Sequence, residues 1–358
     1  MKSATVSVIM AAYNHAGFVK QAIESVLQQR DVEFEFLIAD DGSSDRTKEV
    51  IASVNDPRIK FFQNDVNRGA CFVTNDLIEK ASGEFIALIN SDDSWIDEYK
   101  LAYQIDLMRE NPSLGACFGL ARFVDKEGGH IKTKLPFEKV FHQENRPRGK
   151  WLRHFFDHGN CICHPTMLIR RECYKNLGTY NNRLRQLPDF DMWVRLVKHY
   201  EISISHKELV NFRIMPGENA SCETPTNSIR TINEHYLIAE KFFDNVNREL
   251  LIDGFYDQLI VKDIPSNEHL NIEKALLYFL GNQWLDKPYK MIGLLKLNSL
   301  LNDNSHREIL SKSYGVDDKW FQNEMGKIDV LRPKIFATAS YSRNILYVAW
   351  QRLLSIVN

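Results

Sequence analysis

Two adjacent carboxylates, Asp92 and Asp93, follow the apolar run Phe85-Ile86-Ala87-Leu88-Ile89. A short, continuous apolar run with polar flanks predicts a strand buried on both faces. Asp92 and Asp93 then emerge at the carboxyl end of a central strand, where open α/β sheets bind ligands. Side-by-side acids repel one another and favour a cation beside them. Hard oxygen donors suit Mg²⁺ or Mn²⁺, and such a cation brings a phosphate-bearing substrate with it. Read alone, the pair also fits a helix cap in a solvated loop.

The elements that must position these acids read as alternating strands and helices. Residues 6–11 predict a first strand, and Val19, Ala22, Ile23, Val26 and Leu27 recur at helical spacing after it. Phe34, Phe36 and Ile38 alternate in a second strand that ends at Asp40-Asp41-Gly42-Ser43-Ser44-Asp45. A helix through Thr47, Val50, Ile51 and Val54, a third strand over 58–62 and a helix through Ala70, Val73, Leu77 and Ala81 follow. The fourth strand spans 84–89, and Leu101, Ile105 and Met108 mark the helix behind it. Such alternation predicts an α/β fold, a mostly parallel sheet flanked by helices. Neither a G-x-G fingerprint nor a Gly-Lys-Ser/Thr loop occurs, so phosphates must be held in another way.

Beyond Pro112 the pattern changes. Residues 114–118 and 120–124 predict two short strands, residues 138–159 a long loop, and 167–170 another strand. Residues 190–200 predict a helix and 202–205 a strand. From Asn227 onward the chain reads as helical, so the expected boundary divides a domain over 1–224 from a helical region over 225–358.

The 358 residues carry a net charge of −2, which argues against general nucleic-acid binding. Six cysteines at this length do not make a disulfide framework, and no secretory signal precedes Val6, so a reducing cytosol is the expected setting. No run of about 20 apolar residues predicts a membrane span.

Five stretches, in order, resemble the family 2 glycosyltransferases of the GT-A fold, of the type that builds bacterial surface polysaccharides. They are residues 6–14 (VSVIMAAYN), 40–45 (DDGSSD), 67–69 (NRG), 91–93 (SDD) and 188–193 (PDFDMW). The resemblance implies inverting transfer of a sugar from a nucleoside diphosphate donor to an acceptor hydroxyl of a glycan or lipid-linked saccharide. By position it implies that Ala11 and Tyr13 lie along the base and that Asp41 accepts a hydrogen bond from it, as the imide of uracil requires. Arg68 falls near the base or phosphates. Asp92 touches the ribose or the metal, and Asp93 coordinates Mn²⁺ or Mg²⁺. Asp189 matches the catalytic base. The chain departs from the family twice: Pro188 stands where Glu is usual, and Arg213-Ile214-Met215 puts Met where many members have His.

Helical geometry separates Asp189 from Asp191. Asp189 lies four residues before Trp193, close to the inward face marked by Trp193, Leu196, Val197 and Tyr200, whereas Asp191 lies four before Arg195, at ion-pair spacing. A place in the first helical turn favours the ionised form that a base needs. Cys161, Cys163 and His164 lack the spacing of a structural zinc site. His164 and Asp191 are candidates for the acceptor side, and Trp95 for the sugar pocket or the core. Residues 330–358 carry Arg332, Lys334, Arg343 and Arg352 with interspersed aromatics and no acid, a composition suited to peripheral contact with an anionic membrane at the inner face, or to packing on the chain's own domain. Two other functions fit the acidic site: a nucleotidyltransferase that makes sugar nucleotides, and an inactive nucleotide-sugar-binding module.

Overall fold

The computed structural model describes residues 5–131, 138–217, 219, 224–280 and 285–329. The chain forms two compact units, 1–257 and 258–358.

The first unit is built on an eight-stranded sheet of order β3-β2-β1-β4-β7-β6-β8-β5. Its strands are β1 (Val6–Ala12), β2 (Phe34–Asp40), β3 (Ile59–Gln63), β4 (Phe85–Leu88), β5 (Ser94–Trp95), β6 (Leu114–Val124), β7 (Leu168–Arg170) and β8 (Glu201–Arg213). The first four pair in parallel, as the alternating pattern predicts. β7 then runs antiparallel to both β4 and β6, β6 runs parallel to β8, and β5 runs antiparallel to β8. The helices α1 (Val19–Leu27), α2 (Thr47–Ala52), α3 (Ala70–Lys80) and α4 (Lys100–Glu110) connect the first half. Val19, Ala22, Ile23 and Val26 put one face of α1 into the same core as Val8, Phe36, Phe85 and Ala87. The parallel register sets the carboxyl ends of β1, β2 and β4 side by side, so the loops that follow them share one rim of the sheet.

Three expectations are corrected here. The two short strands at 114–124 are one strand, because bulges between Phe118 and Ala121 shift its register against β8 without ending it. The expected long loop over 138–159 contains a helix, α5 (Arg148–His158), whose Trp151, Leu152, Phe155 and Phe156 are fully buried. Those four recur at helical spacing, but the basic residues between them hide the pattern. The expected strand at 202–205 is the start of the thirteen-residue β8. Two further helices precede β8, α6 (Arg171–Leu177) and α7 (Pro188–Val197).

The first unit continues past the expected boundary at 224. Its last helices are α8 (Pro225–Glu240) and α9 (Arg248–Phe255). Phe242 and Phe243, just after α8, pack with their ring centroids 5.1 and 4.9 Å from that of Phe156 in α5. Asp253 of α9 accepts the backbone N–H of Gly149. A helical segment is thus built into the unit by aromatic packing, which a composition shift at Thr224-Pro225 does not reveal.

The second unit holds α10 (Asn267–Leu277), α11 (Asp286–Leu301), α12 (Asn304–Tyr314) and α13 (Asp318–Met325). Ser266, Asp303 and Asp317 cap three of them by accepting backbone N–H groups. Ile272, Ala275, Leu297 and Leu310 form its core. No helix among the described residues is long and apolar enough to cross a membrane. The segment 330–358 lies outside the described residues.

Candidate active site

The loops at the sheet rim are tied to one another by side chains that the motifs supply. Asn14, in a left-handed conformation with φ 53°, accepts the Ser44 N–H on its side-chain oxygen and donates its own N–H to Ser43 Oγ. His15 donates its N–H to Thr47 Oγ1, and its Nδ1 lies 2.7 Å from Ser91 Oγ. His15 therefore links the loops after β1 and β4.

Asp41 is 2% exposed. Its Oδ1 accepts the Arg68 N–H at 2.9 Å and Asn64 Nδ2–H at 3.0 Å, and its Oδ2 accepts the Gly69 N–H at 2.8 Å. The visible task of this carboxylate is to hold the 64–69 loop. The neighbouring Gly42 (φ 71°) passes so close to that loop that a Cβ would lie 2.7 Å from the Val66 carbonyl carbon. Arg68 does not reach into the rim: its guanidinium stacks 3.6 Å from the Phe72 ring centroid and pairs with Asp76 at 2.8 Å. Tyr13 is 44% exposed. Ala11 lines a cavity of about 140 Å³ together with Cys71, Thr74, Asn90, His164 and Tyr180, and Pro188 closes another side.

Asp92 and Asp93 are held in place by Arg213, which is buried. Its N–H donates to Asp93 Oδ1 at 2.8 Å and its Nε to the Asp92 carbonyl at 2.8 Å. The rest of the guanidinium donates to the carbonyls of Asp125 and Lys126 and to Gln21 Oε1. Asn90 Nδ2 donates to Asp93 Oδ2 at 2.9 Å. Burial and the neighbouring Asp92 push the Asp93 carboxyl well above the usual carboxylate range. A cation would relieve that cost. Among the described residues no cluster of three or more His, Cys, Asp or Glu surrounds the pair. Two carboxylates with substrate phosphates are nonetheless the usual donor set for Mg²⁺. Asp92 offers Oδ1, which takes no hydrogen bond among the described residues, and an Oδ2 that accepts only a 3.3 Å contact from Asn219. The oxygen donors present therefore fit such a cation.

Asp189 stands in the first turn of α7. Its Oδ1 accepts the Phe190 N–H and its Oδ2 accepts Asn160 Nδ2–H, each at 2.8 Å. Burial raises its carboxyl to about 6, against those hydrogen bonds. The expectation that the helix start favours the ionised form is overridden, because desolvation exceeds the effect of the dipole. Asp191 pairs with Arg195 at 2.9 Å, and Arg195 also donates to the carbonyls of Leu177, Gly178 and Thr179. The thiol of Cys163 is pushed far up by burial and by the charges of both Asp93 and Asp189. Asn90, which donates to Asp93, and Pro188, which precedes Asp189, line the same cavity, although the two carboxylates lie 96 positions apart in sequence.

Residues 7–178 match the model of glycosyl transferase family 2. This part of the chain belongs to that family. The protein is a glycosyltransferase, and its structural neighbours have the GT-A fold. An uncharacterised glycosyltransferase of Methanocaldococcus jannaschii is 27% identical over 254 residues, 69% of this chain and 84% of that protein. The Escherichia coli UDP-Glc:alpha-D-GlcNAc-diphosphoundecaprenol beta-1,3-glucosyltransferase WfgD is 42% identical over 106 residues, 30% of this chain and 42% of that enzyme. The S. aureus TarS structure in complex with UDP superposes with a TM-score of 0.54 at 17% identity, covering 92% of this chain and 91% of TarS 1-349. The matched stretch carries Ala11, Tyr13, Asp41, Arg68, Asp92, Asp93 and His164, and it stops short of Asp189.

Within this glycosyltransferase, His164 is half-buried, with Nε2 2.8 Å from the Tyr180 hydroxyl. Burial lowers it to about 4, so it is neutral at pH 7. Burial pushes the Cys161 thiol up to about 12, and among the described residues Cys161, Cys163 and His164 do not come together as a group that could hold a metal ion. Trp95 belongs to the core: it is 5% exposed, with Lys100 Nζ 4.2 Å from its ring centroid. The glycosyltransferase site also uses residues that the sequence does not single out. Asn160 lies just past the expected loop over 138–159, and no local pattern connects it with Asp189. Arg213 is visible only as part of the Arg-x-Met departure, and Met215 beside it is itself buried.

Proposed function

We propose that the glycosyltransferase acts by inversion and depends on a divalent cation, moving a sugar from a UDP-activated donor to a hydroxyl of a glycan or lipid-linked saccharide. The observation that carries this reading is the single cavity lined both by Asn90, which donates to Asp93, and by Pro188, the residue before Asp189 at the start of α7. Bound by Asp92 and Asp93, Mn²⁺ or Mg²⁺ supplies positive charge where the leaving diphosphate gains negative charge. Asp189 takes the proton from the acceptor hydroxyl. The Asn160 amide and the Phe190 N–H fix its two oxygens, and burial brings its pKa near the working pH, as a general base requires. The sugar would lie in the cavity lined by Ala11, Asn90 and His164. Asp191, with its Arg195 pair, is left a supporting role beside the acceptor.

A uracil donor is favoured by Asp41, whose Oδ2 bears one N–H and keeps a lone pair for an imide. WfgD is named for UDP-Glc, and TarS is seen with UDP and with UDP-GlcNAc. On this reading Tyr13 flanks the base, and Arg68 contributes through the backbone N–H that it donates to Asp41. For a lipid-linked acceptor, the basic aromatic stretch at 330–358 is the part of the sequence suited to an anionic surface.

A donor panel tests the proposal. UDP-, dTDP- and GDP-sugars are each incubated with the protein in Mn²⁺ or in EDTA, and nucleoside diphosphate release is measured. Release of UDP in Mn²⁺ and little in EDTA is expected. Turnover of GDP-sugars alone, or pyrophosphate formed from UTP and a sugar phosphate, would contradict it.

A further inference from the structure

Glu234 lies on α8, 56 residues beyond the end of the family match, and is 4% exposed. It has no counterpart among the motifs that mark the site. Its Oε1 accepts the Arg185 N–H at 2.8 Å, and its Oε2 accepts the N–H groups of Gln186 and Leu187, each at 2.8 Å. These amides lie immediately before Pro188, the first residue of α7. Leu187 occupies the N-cap position, and its side chain makes no cap hydrogen bond. Leucine lacks the oxygen that would do so. Glu234, 47 residues further along the chain than Leu187, instead binds the N–H groups of the three residues that lead into the helix. Hydrogen bonds to an ionised acceptor are short and directional, so three of them fix a backbone segment more firmly than a local cap.

The next residue, His235, works on the other side of the same site. Its ring packs against Phe190, with centroids 5.2 Å apart. Its Cε1 also lies 2.9 Å from where a Cβ on Gly159 would be. Gly159 precedes Asn160, the donor to Asp189. One turn of α8 therefore touches both segments that hold the Asp189 carboxylate.

We infer that Glu234 is a positioning residue for sugar transfer, gripping the three amides ahead of α7 and so fixing where Asp189 meets the acceptor. The inference rests on the reading of Asp189 as the base. It makes α8 part of the catalytic unit, although the sequence assigns it to a separate region. Glu234 also acts on the base by its charge, which raises the Asp189 carboxyl. The other groups that face Asp189 are Asn160, which is neutral, and Cys163 and Tyr180, which burial keeps protonated.

The test compares parent, Glu234→Gln, Glu234→Asp and Asp189→Asn proteins with UDP-glucose and Mn²⁺, alongside hydrogen exchange of the 185–187 amides. Glu234→Gln presents an amide N–H to backbone donors and removes the charge. Its kcat should fall on the order of 10²-fold, the loss that a displacement of about 1 Å brings, with KM little changed. The acidic limb of its pH profile should move to lower pH. Glu234→Asp keeps the charge but withdraws the oxygens, so kcat should fall while the limb stays in place. The 185–187 amides should exchange as slowly as those of α7 in the parent and faster in both Glu234 variants. Rapid exchange of those amides in the parent overturns the inference without any variant. So does a Glu234→Gln protein with the parent kcat and pH limb, provided that Asp189→Asn is inactive. An active Asp189→Asn protein instead refutes the base reading, whatever Glu234 does.

Discussion

Replacing Asp189 with Asn is expected to abolish sugar transfer while the protein stays folded and still binds its donor. The loss should be about 10²–10⁴-fold, the usual contribution of a general base. Asn keeps the Oδ1 that accepts the Phe190 N–H, so the start of α7 retains its cap. At the other oxygen an amide would face the Asn160 amide. Asn160 is held against flipping, because its own Oδ1 accepts the Ile162 N–H. That conflict costs roughly 1–3 kcal/mol locally. An opposite effect offsets part of it. Burial raises the Asp189 carboxyl from 3.8 to about 6, so ionised Asp189 costs stability above pH 6. That cost fades as the pH falls from 6 towards 3.8, where the folded protein takes up the proton first. A neutral Asn removes the cost at pH 7. The same shift sets the activity profile of the parent. The base must be ionised, so kcat/KM should fall roughly tenfold per pH unit below about 6. Asp191→Asn should lose only its pair with Arg195 and keep transfer near the parent rate. Steady-state rates of the two variants check the assignment. Transfer retained in Asp189→Asn and lost in Asp191→Asn would reverse it.

Asp93→Asn is expected to weaken Mn²⁺-dependent UDP binding on the order of 10²-fold. Even partners one shell out from a metal are worth about 10–100-fold in affinity, and a direct ligand should be worth at least as much. The fold should survive, because Asn still accepts the Arg213 N–H, and the like charge beside Asp92 is gone. Calorimetric titration of UDP in Mn²⁺ and in EDTA measures the effect. Equal affinity in the two buffers for the parent protein would remove the metal from the site.

The half of the fold that carries Asp41 and Asp93 was legible because parallel strands buried on both faces read as apolar runs, and their loops begin where the runs stop. Val6 to Ala12 and Phe34 to Asp40 are buried almost throughout. Asp191 was legible from its spacing to Arg195. The pKa of Asp189 is not, because desolvation depends on groups brought around the carboxylate from Asn160, Cys163 and Glu234 of α8, all distant in sequence. The direction of the Arg68 side chain is not legible, because its partners, Phe72 and Asp76, lie on the next helix, whose facing side the motif does not specify. α5 is not legible because Arg148, Lys150, Arg153 and His154 interrupt a stripe that is apolar only at 151, 152, 155 and 156.

The stereochemistry of the first product tests the central claim most directly. A single displacement with Asp189 as base inverts the anomeric carbon. UDP-glucose carries its sugar in the α configuration. Proton NMR, recorded while the Mn²⁺-loaded protein hydrolyses UDP-glucose and before mutarotation, should show the H-1 signal of β-glucose first. An initial α-glucose signal would mean retention, and would contradict a single displacement assisted by Asp189.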